Sequence, residues 1–436
     1  MPERPSSAPL AGKPVDSGLP RAKKSVYVLA TLDTKGHEAA YVRDVLSACG
    51  VPVRLVDVGC LGEPAVPADV ERDALFAAGG HDARELRDAQ DRGRAVTAAA
   101  ESAAAFICQA HQRQQLAGVL AIGGSAGTTI GTAAMRALPI GVPKVMLSTL
   151  ASGQVRHYVG DKDVVMLNSV VDIAGLNRVT RTVLREAALA MAGMTHFHET
   201  GGSIADPHDA ESRPTIAATM FGVTTPCIEA AREELESRGY EVLVFHATGN
   251  GGQAMESLID DGLIAGVLDM TTTEIADELV GGVLSAGPQR LTAAARRGVP
   301  QVVSLGATDM VNFHAPDTVA NRFAGRTFYQ HNPNVTLMRT TAAECAAIGR
   351  DIGTKLAQSI GPVTVLAPMR GVSAIDREGQ PFDDPAARAA LVEALCEAGP
   401  SLDVRRMDLH LNDPTFAQAA VSRLLEMIEA RNAERA

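Results

Sequence analysis

Tryptophan is absent from the 436 residues, and there are only five tyrosines and ten phenylalanines. A core with so few large rings must be assembled from small aliphatic side chains, which suits close helix-on-sheet layers. Cysteine is sparse as well. Cys49, Cys60, Cys108, Cys227, Cys345 and Cys396 are scattered without a CxxC spacing. That excludes a disulfide framework and a zinc site, and points to reduced thiols in the cytoplasm. No apolar run reaches the ~18 residues of a membrane span. Cations are in deficit, 40 Lys and Arg against 51 Asp and Glu, for a net charge of −11. A nucleic-acid surface needs clustered cations and is excluded on that balance. Residues 1–24 are rich in Pro, Ser and Gly and lack an apolar signal segment. They read as a disordered tail and not as a signal peptide.

What is present is alternation of buried strands and amphipathic helices in a chain too long for one core. Order begins with Val26–Ala30 (VYVLA), a polar turn at Thr31–Gly36 and a helix striped by Val42, Val45 and Leu46. A strand at Val53–Val58 completes a βαβ start. Residues 61–90, with Pro64, Pro67 and Gly79-Gly80, read as an irregular insertion or lid. A helix over Gly93–Ala117 leads to the stretch GVLAIGGSAGTTIGTAAMRAL, Gly118–Leu138. Strands at Pro143–Ser148 and Val164–Leu167 and a helix at Asn177–Met191 close a first domain, 25–199. His196 and His198 near its end read as surface histidines. The polar, glycine-bearing residues 200–214 read as a linker to a second domain, 215–436. There TIAATM and EVLVFH are strands, with Thr225 placed to cap a helix and Pro226 at its first position. Gly266-Val267-Leu268 repeats Gly118-Val119-Leu120, and Gly298-Val299-Pro300 repeats Gly141-Val142-Pro143. Two related doubly wound α/β domains, Rossmann-like with mostly parallel sheets, follow from this weak internal repeat.

Within Gly118–Leu138, Val119–Ile122 reads as a buried strand and Ile130 to Leu138 as an amphipathic helix. Gly123 to Thr129 between them reads as a glycine loop free to adopt positive φ. Strand, glycine loop and helix together aim backbone N–H groups and a helix dipole at an anion. The loop matches neither GxxxxGK[ST] nor GxGxxG, so neither a P-loop hydrolase nor a conventional NAD enzyme is indicated. The polar strand ends at Thr31–Lys35 and Ser148–Gly153 should converge on the same place. Equally, such residues serve as ordinary turn and cap residues. Asp269–Glu274, at the matching position of the second half, has no glycine, so a single phosphate site in the first half is expected. Asp309, His314, Asp317 and His331 fall within 23 residues and offer acid–base or metal-binding side chains. Their spacing is no metal signature, and no metal site is assigned.

VYVLATLDTKGHE, AIGGSAGTTI, TIAATMFGVTTPC, LDMTTTEIADELVGG, GATDMVNF and GVSAIDREGQPFDDP together resemble the tomato mosaic virus resistance protein family. The likeness is to its amino-terminal ATP-binding region and to bacterial relatives of unassigned function, and it runs from about Ser25 to Leu395. The resemblance implies two Rossmann-like domains, ATP, with or without Mg²⁺, as cofactor, and a homodimer. It places nucleotide contacts on Leu32, Asp33, Thr34, Gly123, Gly124, Ser125, Ala126, Gly127, Thr128, Thr129, Ser148 and Thr149. Asp33 is expected at Mg²⁺ or a ribose hydroxyl. The plant protein continues into a TIM-barrel-like domain, so any role needing that barrel is expected to be absent here or supplied by a separate partner protein.

Three functions remain open on these residues. One is a cytoplasmic ATP-binding homodimer. Another is a transferase or ligase acting on a phosphorylated metabolite between the domains, with Asp309 and His331, and His314 nearby, as acid–base candidates. The third is a nucleotide-dependent regulator or scaffold without catalysis.

Overall fold

Val26, Val28 and Ala30 face one side of the first strand, Tyr27 and Leu29 the other, and all five are buried. A strand buried on both faces belongs inside a parallel sheet covered by helices on each side. The structure, a computed structural model, places it there and describes residues 24–199 and 213–435. The expected tail apart from Lys24, and the expected linker apart from Arg213 and Pro214, lie outside the described residues. The chain divides into two compact units, residues up to 202 and residues from 203.

The first unit runs β1 (Ser25–Ala30), α1 (Leu32–Ala48), β2 (Val53–Asp57), α2 (Arg72–Ala78), α3 (Ala83–Asp88), α4 (Arg92–Gln112), β3 (Leu116–Gly123) and α5 (Ser125–Arg136). It continues through β4 (Lys144–Ser148), α6 (Arg156–Val159), β5 (Val165–Asn168) and α7 (Arg178–Glu199). The sheet is parallel, in the order β2-β1-β3-β4-β5. α1 and α7 cover Val26, Val28, Leu120 and Ile122 on one face. α4 and α5 cover Tyr27, Leu29, Val119 and Ala121 on the other.

The second unit runs β6 (Thr215–Met220), α8 (Thr225–Ser237), β7 (Glu241–His246), α9 (Asn250–Asp260), β8 (Gly266–Thr271), α10 (Thr273–Val280), α11 (Ala293–Arg297) and β9 (Gln301–Gly306). After β10 (Met310–Phe313), β11 (Phe328–Asn332) and β12 (Val335–Arg339) come α12 (Ala342–Leu356), β13 (Val363–Pro368), α13 (Pro385–Ala398), β14 (Asp403–Met407) and α14 (Pro414–Arg435). Its parallel sheet has the order β14-β13-β9-β8-β6-β7, and β10, β12 and β11 form a small antiparallel sheet.

Both main sheets thus reverse their direction of growth beside the first strand, between β1 and β3 and between β6 and β8. The repeat extends to register. Val26 pairs with Gly118 and Ile216 with Gly266. Val119 N donates to Pro143 O and Val267 N to Pro300 O, each at 2.9 Å. Gly141 and Gly298, which precede those turns into the next strand, have φ of 89° and 63°, where glycine carries no Cβ penalty.

Several expected elements differ. Residues 61–90 are not wholly irregular, because Leu75, Phe76 and Leu86 of α2 and α3 bury against α4. The helix expected to reach Ala117 stops at Gln112, and β3 already starts at Leu116. Thr31–Lys35 is not an open turn. It is the first turn of α1, set off by a break at Lys35 (φ −129°, ψ 19°). α8 is capped at Thr224, one residue earlier than expected. The antiparallel β10–β12 sheet, α13 and β14 lacked a clear periodic signal. All six cysteines are unpaired, and no helix among the described residues is long and apolar enough to cross a membrane.

Candidate functional site

In an open parallel sheet, ligands sit beyond the carboxyl ends of the strands where growth reverses. In the first unit that crevice lies between the ends of β1 and β3. It is bordered by the first turns of α1 and α5, with the end of β4 beside it.

The expected glycine loop is not a loop. β3 runs to Gly123, Gly124 alone is the N-cap, and α5 begins at Ser125. Gly123, Gly124 and Gly127 all have negative φ, so conformational freedom is not what these glycines supply. Gly123 and Gly127 supply closeness. A Cβ on Gly123 would stand 2.8 Å from Gly127 Cα, and one on Gly127 3.0 Å from Ile122 O. α5 is therefore seated hard on the end of β3. Gly124 has no side chain to cap the helix, so the Ser125, Ala126 and Gly127 amides lack a side-chain acceptor.

The twelve residues singled out for nucleotide contact separate by burial. Leu32 is buried, and its amide donates to Asp57 Oδ1 at 3.2 Å. Thr128 and Ser148 are buried and joined hydroxyl to hydroxyl at 2.7 Å, with Ser148 Oγ also accepting Leu150 N at 2.9 Å. Thr129 turns its hydroxyl back to Ser125 O at 2.9 Å, and Thr34 bonds Thr31 through their hydroxyls at 2.8 Å. Gly123 and Gly127 are packed as described. Gly124, Ser125 and Ala126 stay accessible at the helix end. Thr149 Oγ1 would lie 3.6 Å from a Cβ on Gly124, on the same side of the crevice. Asp33 accepts Gly62 N at 3.0 Å through Oδ2, while its Oδ1 is buried without a hydrogen-bond partner.

One carboxylate that a Rossmann reading would assign to ribose is already occupied. Asp57, at the end of β2, accepts Leu32 N and Gly59 N (2.8 Å) on Oδ1 and Arg72 Nε (2.9 Å) on Oδ2. Asp33 is the acidic group left in the crevice with an open valence. Lys35 is spent on Ile173 O, so no lysine is available to phosphates from the first turn.

The same crevice in the second unit is filled. Thr272 holds the N-cap position of α10 as Gly124 does that of α5, likewise without a side-chain cap bond, so Glu274 takes the place of Ala126 and Asp269 that of Ala121. Arg290, wholly buried, makes a bidentate pair with Asp269 (2.5 and 2.7 Å) and bonds Glu274 at 2.6 Å. Burial works against its charge, yet Asp269 and Glu274 outweigh it and raise the Arg290 pKa well above the ordinary value. Burial pushes Glu274 up despite Arg290. Glu274 also accepts Gly249 N at 2.7 Å and Gly252 N at 3.1 Å, at the start of α9. A side-chain carboxylate thus sits on the amides at the start of α9, and Thr272, Thr273 and Glu274 at the start of α10 are themselves buried. Sequence reasoning missed this network. Arg290 lies far along the chain from its partners, in a stretch with no motif.

The structure does not bring Asp309, His314 and His331 together. Asp309 is buried, and Ser373 Oγ donates to its Oδ2 at 2.8 Å. Burial first, then the charge of Asp376, pushes its pKa up to about 7. His314 and His331 are exposed at one end of the small sheet, flanking β12 two strand spacings, about 10 Å, apart. Asp317 is exposed in a short 3₁₀ turn. Among the described residues no group of three or more His, Cys, Asp or Glu is arranged to hold a metal ion.

The amino-terminal domain of an uncharacterised protein family, UPF0261, matches residues 24–200, and its carboxy-terminal domain matches residues 213–428. A UPF0261 protein of Rhizobium meliloti is 50% identical over 402 residues, covering 92% of this chain and 98% of its own. One from Clostridium tetani is 45% identical over 408 residues, covering 93% and 99%. The ToMV susceptible protein tm-1(GCR26) of Solanum lycopersicum is 40% identical over 423 residues, covering 92% of this chain and 55% of its own. This chain spans about half the length of that plant relative.

Proposed function

We propose that this chain, which belongs to the UPF0261 family, binds one nucleotide per chain, ATP, in the β1/β3 crevice of its first unit. The observation that carries the reading is the uncapped start of α5 at the sheet's reversal point. Backbone N–H groups without a side-chain acceptor favour an anion there. In this reading the amides of Ser125, Ala126 and Gly127 hold the phosphates, with the hydroxyls of Ser125 and Thr149 beside them. Asp33, through its open Oδ1, takes Mg²⁺ or a ribose hydroxyl. Thr128 and Ser148 fix the helix to β4 and act on the ligand only through that position. The choice of ATP over other phosphorylated ligands rests on the resemblance to the tomato resistance protein family, as does a homodimer, while a cytoplasmic location rests on the scattered, unpaired cysteines. A regulatory role without catalysis is favoured over acid–base chemistry, because Asp309 is buried apart from the exposed His314 and His331.

Calorimetric titration with ATP tests the reading against Ala126→Glu, which places a carboxylate where the second unit carries Glu274. Wild type should bind and the variant should lose at least about tenfold in affinity. No heat with wild type, or equal binding by a folded variant, contradicts the proposal.

A further inference from the structure

A cavity of about 420 Å³ opens at the opposite, amino-terminal edge of the first sheet, between β1, β2 and α4. Its floor is apolar. The Tyr27 ring meets Phe106 edge-on at a centroid distance of 6.0 Å, with Val70 and Ala110 beside them. Tyr27 is only 1% exposed and brings a phenol hydroxyl to this floor. Burial pushes its pKa up, and the guanidinium groups of Arg54 and Arg113 on the cavity wall pull it back.

Four charges line this cavity: Arg54 on β2, Arg113 just past α4, and Asp69 and Glu71 on the segment entering α2. Among the described residues none of the four forms an ion pair with another. One Asp69 oxygen accepts Leu55 N at 2.7 Å, and its other oxygen is free of that bond. Two cations and two anions, unpaired around an apolar floor, offer little net attraction to a simple anion or a simple cation. A small zwitterion meets both signs at once and leaves an apolar side chain for the floor. The volume lies at the small end of the range for ligand pockets.

We propose that this cavity binds a free α-amino acid with an apolar or aromatic side chain. Its carboxylate lies toward Arg54, Arg113 and the Tyr27 hydroxyl, its ammonium toward Asp69 and Glu71, and its side chain on Phe106. The site lies at the far end of the strands from the nucleotide crevice and does not depend on it.

The test is calorimetric titration of the full chain with L-phenylalanine, L-leucine, 3-phenylpropionate and phenethylamine. The two amino acids should bind. Phenylpropionate, lacking the ammonium, and phenethylamine, lacking the carboxylate, should each be at least about tenfold weaker. Arg113→Ala should weaken L-phenylalanine by a similar factor, and Tyr27→Phe, which keeps the ring and the packing, several-fold. Ala126→Glu should leave L-phenylalanine binding unchanged, so this site and the ATP site can fail separately. Absence of heat with both amino acids at millimolar concentration overturns the proposal. So does phenylpropionate or phenethylamine binding as tightly as L-phenylalanine, or an Arg113→Ala variant that binds as wild type does.

Discussion

The two units share a strand order, a register and a pair of glycine turns, and differ in what stands at the reversal point. The first has Ala121 and Ala126 there, with an uncapped helix end. The second has Asp269 and Glu274, with Arg290 drawn in between them. Small residues let α5 sit close on its strand and leave amides open. Carboxylates at the same positions require a buried cation and use up the amides of a neighbouring helix. One scaffold thereby yields helix-start amides without a side-chain acceptor in one copy and a closed ionic core in the other.

Breaking that core gives the largest effect. Arg290→Met leaves Asp269 and Glu274 buried without their cation and should cost about 3–5 kcal/mol. Peptide-resolved hydrogen exchange should show the loss in β8 and α10 and leave β3 and α5 protected as before.

The next effect is a pH dependence confined to the second unit. Burial holds Asp309, and by the same cause Asp277, at a pKa of about 7. Unfolded aspartates release their proton near the ordinary value of about 3.9. Between those values the folded state holds the extra protons, so stability present at low pH is lost as pH rises to about 7. The loss should be about 4 kcal/mol for each group. Chemical unfolding followed between pH 5 and 8 measures the slope, which Asp309→Asn should flatten.

In the first unit, a Cβ on Gly131 would overlap Ala121 and press on Met146. Gly131→Val should therefore lower stability by about 1–3 kcal/mol through overpacking, read as an earlier thermal transition. The smallest effect expected is at Thr128. Thr128→Ala removes the bond to Ser148, costs about 1 kcal/mol, and should leave ATP affinity within about twofold, because that hydroxyl faces the sheet and not the crevice.

Much of this architecture was legible in the sequence. Short aliphatic runs such as VYVLA and EVLVFH read as strands, the first buried and the second half-buried at the sheet edge, and the repeated Gly-Val-Leu and Gly-Val-Pro triplets fall at matching registers. The positions of the polar strand ends also followed from strand and helix alternation. What the glycines do there did not. Gly123, Gly124 and Gly127 suggest a flexible loop to anyone counting residues, whereas the use of Gly123 and Gly127 is close helix–strand contact, a tertiary property. The Arg290 network was hidden for a related reason. A single arginine in a motif-free stretch acquires meaning only when folding brings it to Asp269 and Glu274. β10–β12 lie among turn residues whose period is broken by a bulge near His331.

A single anion site, in the first unit, should show in peptide-resolved hydrogen exchange with and without ATP as added protection at residues 31–34 and 124–128, with none at 249–252 or 272–276. Protection at 249–252 or 272–276, or no change at 124–128 under saturating ATP, would contradict it.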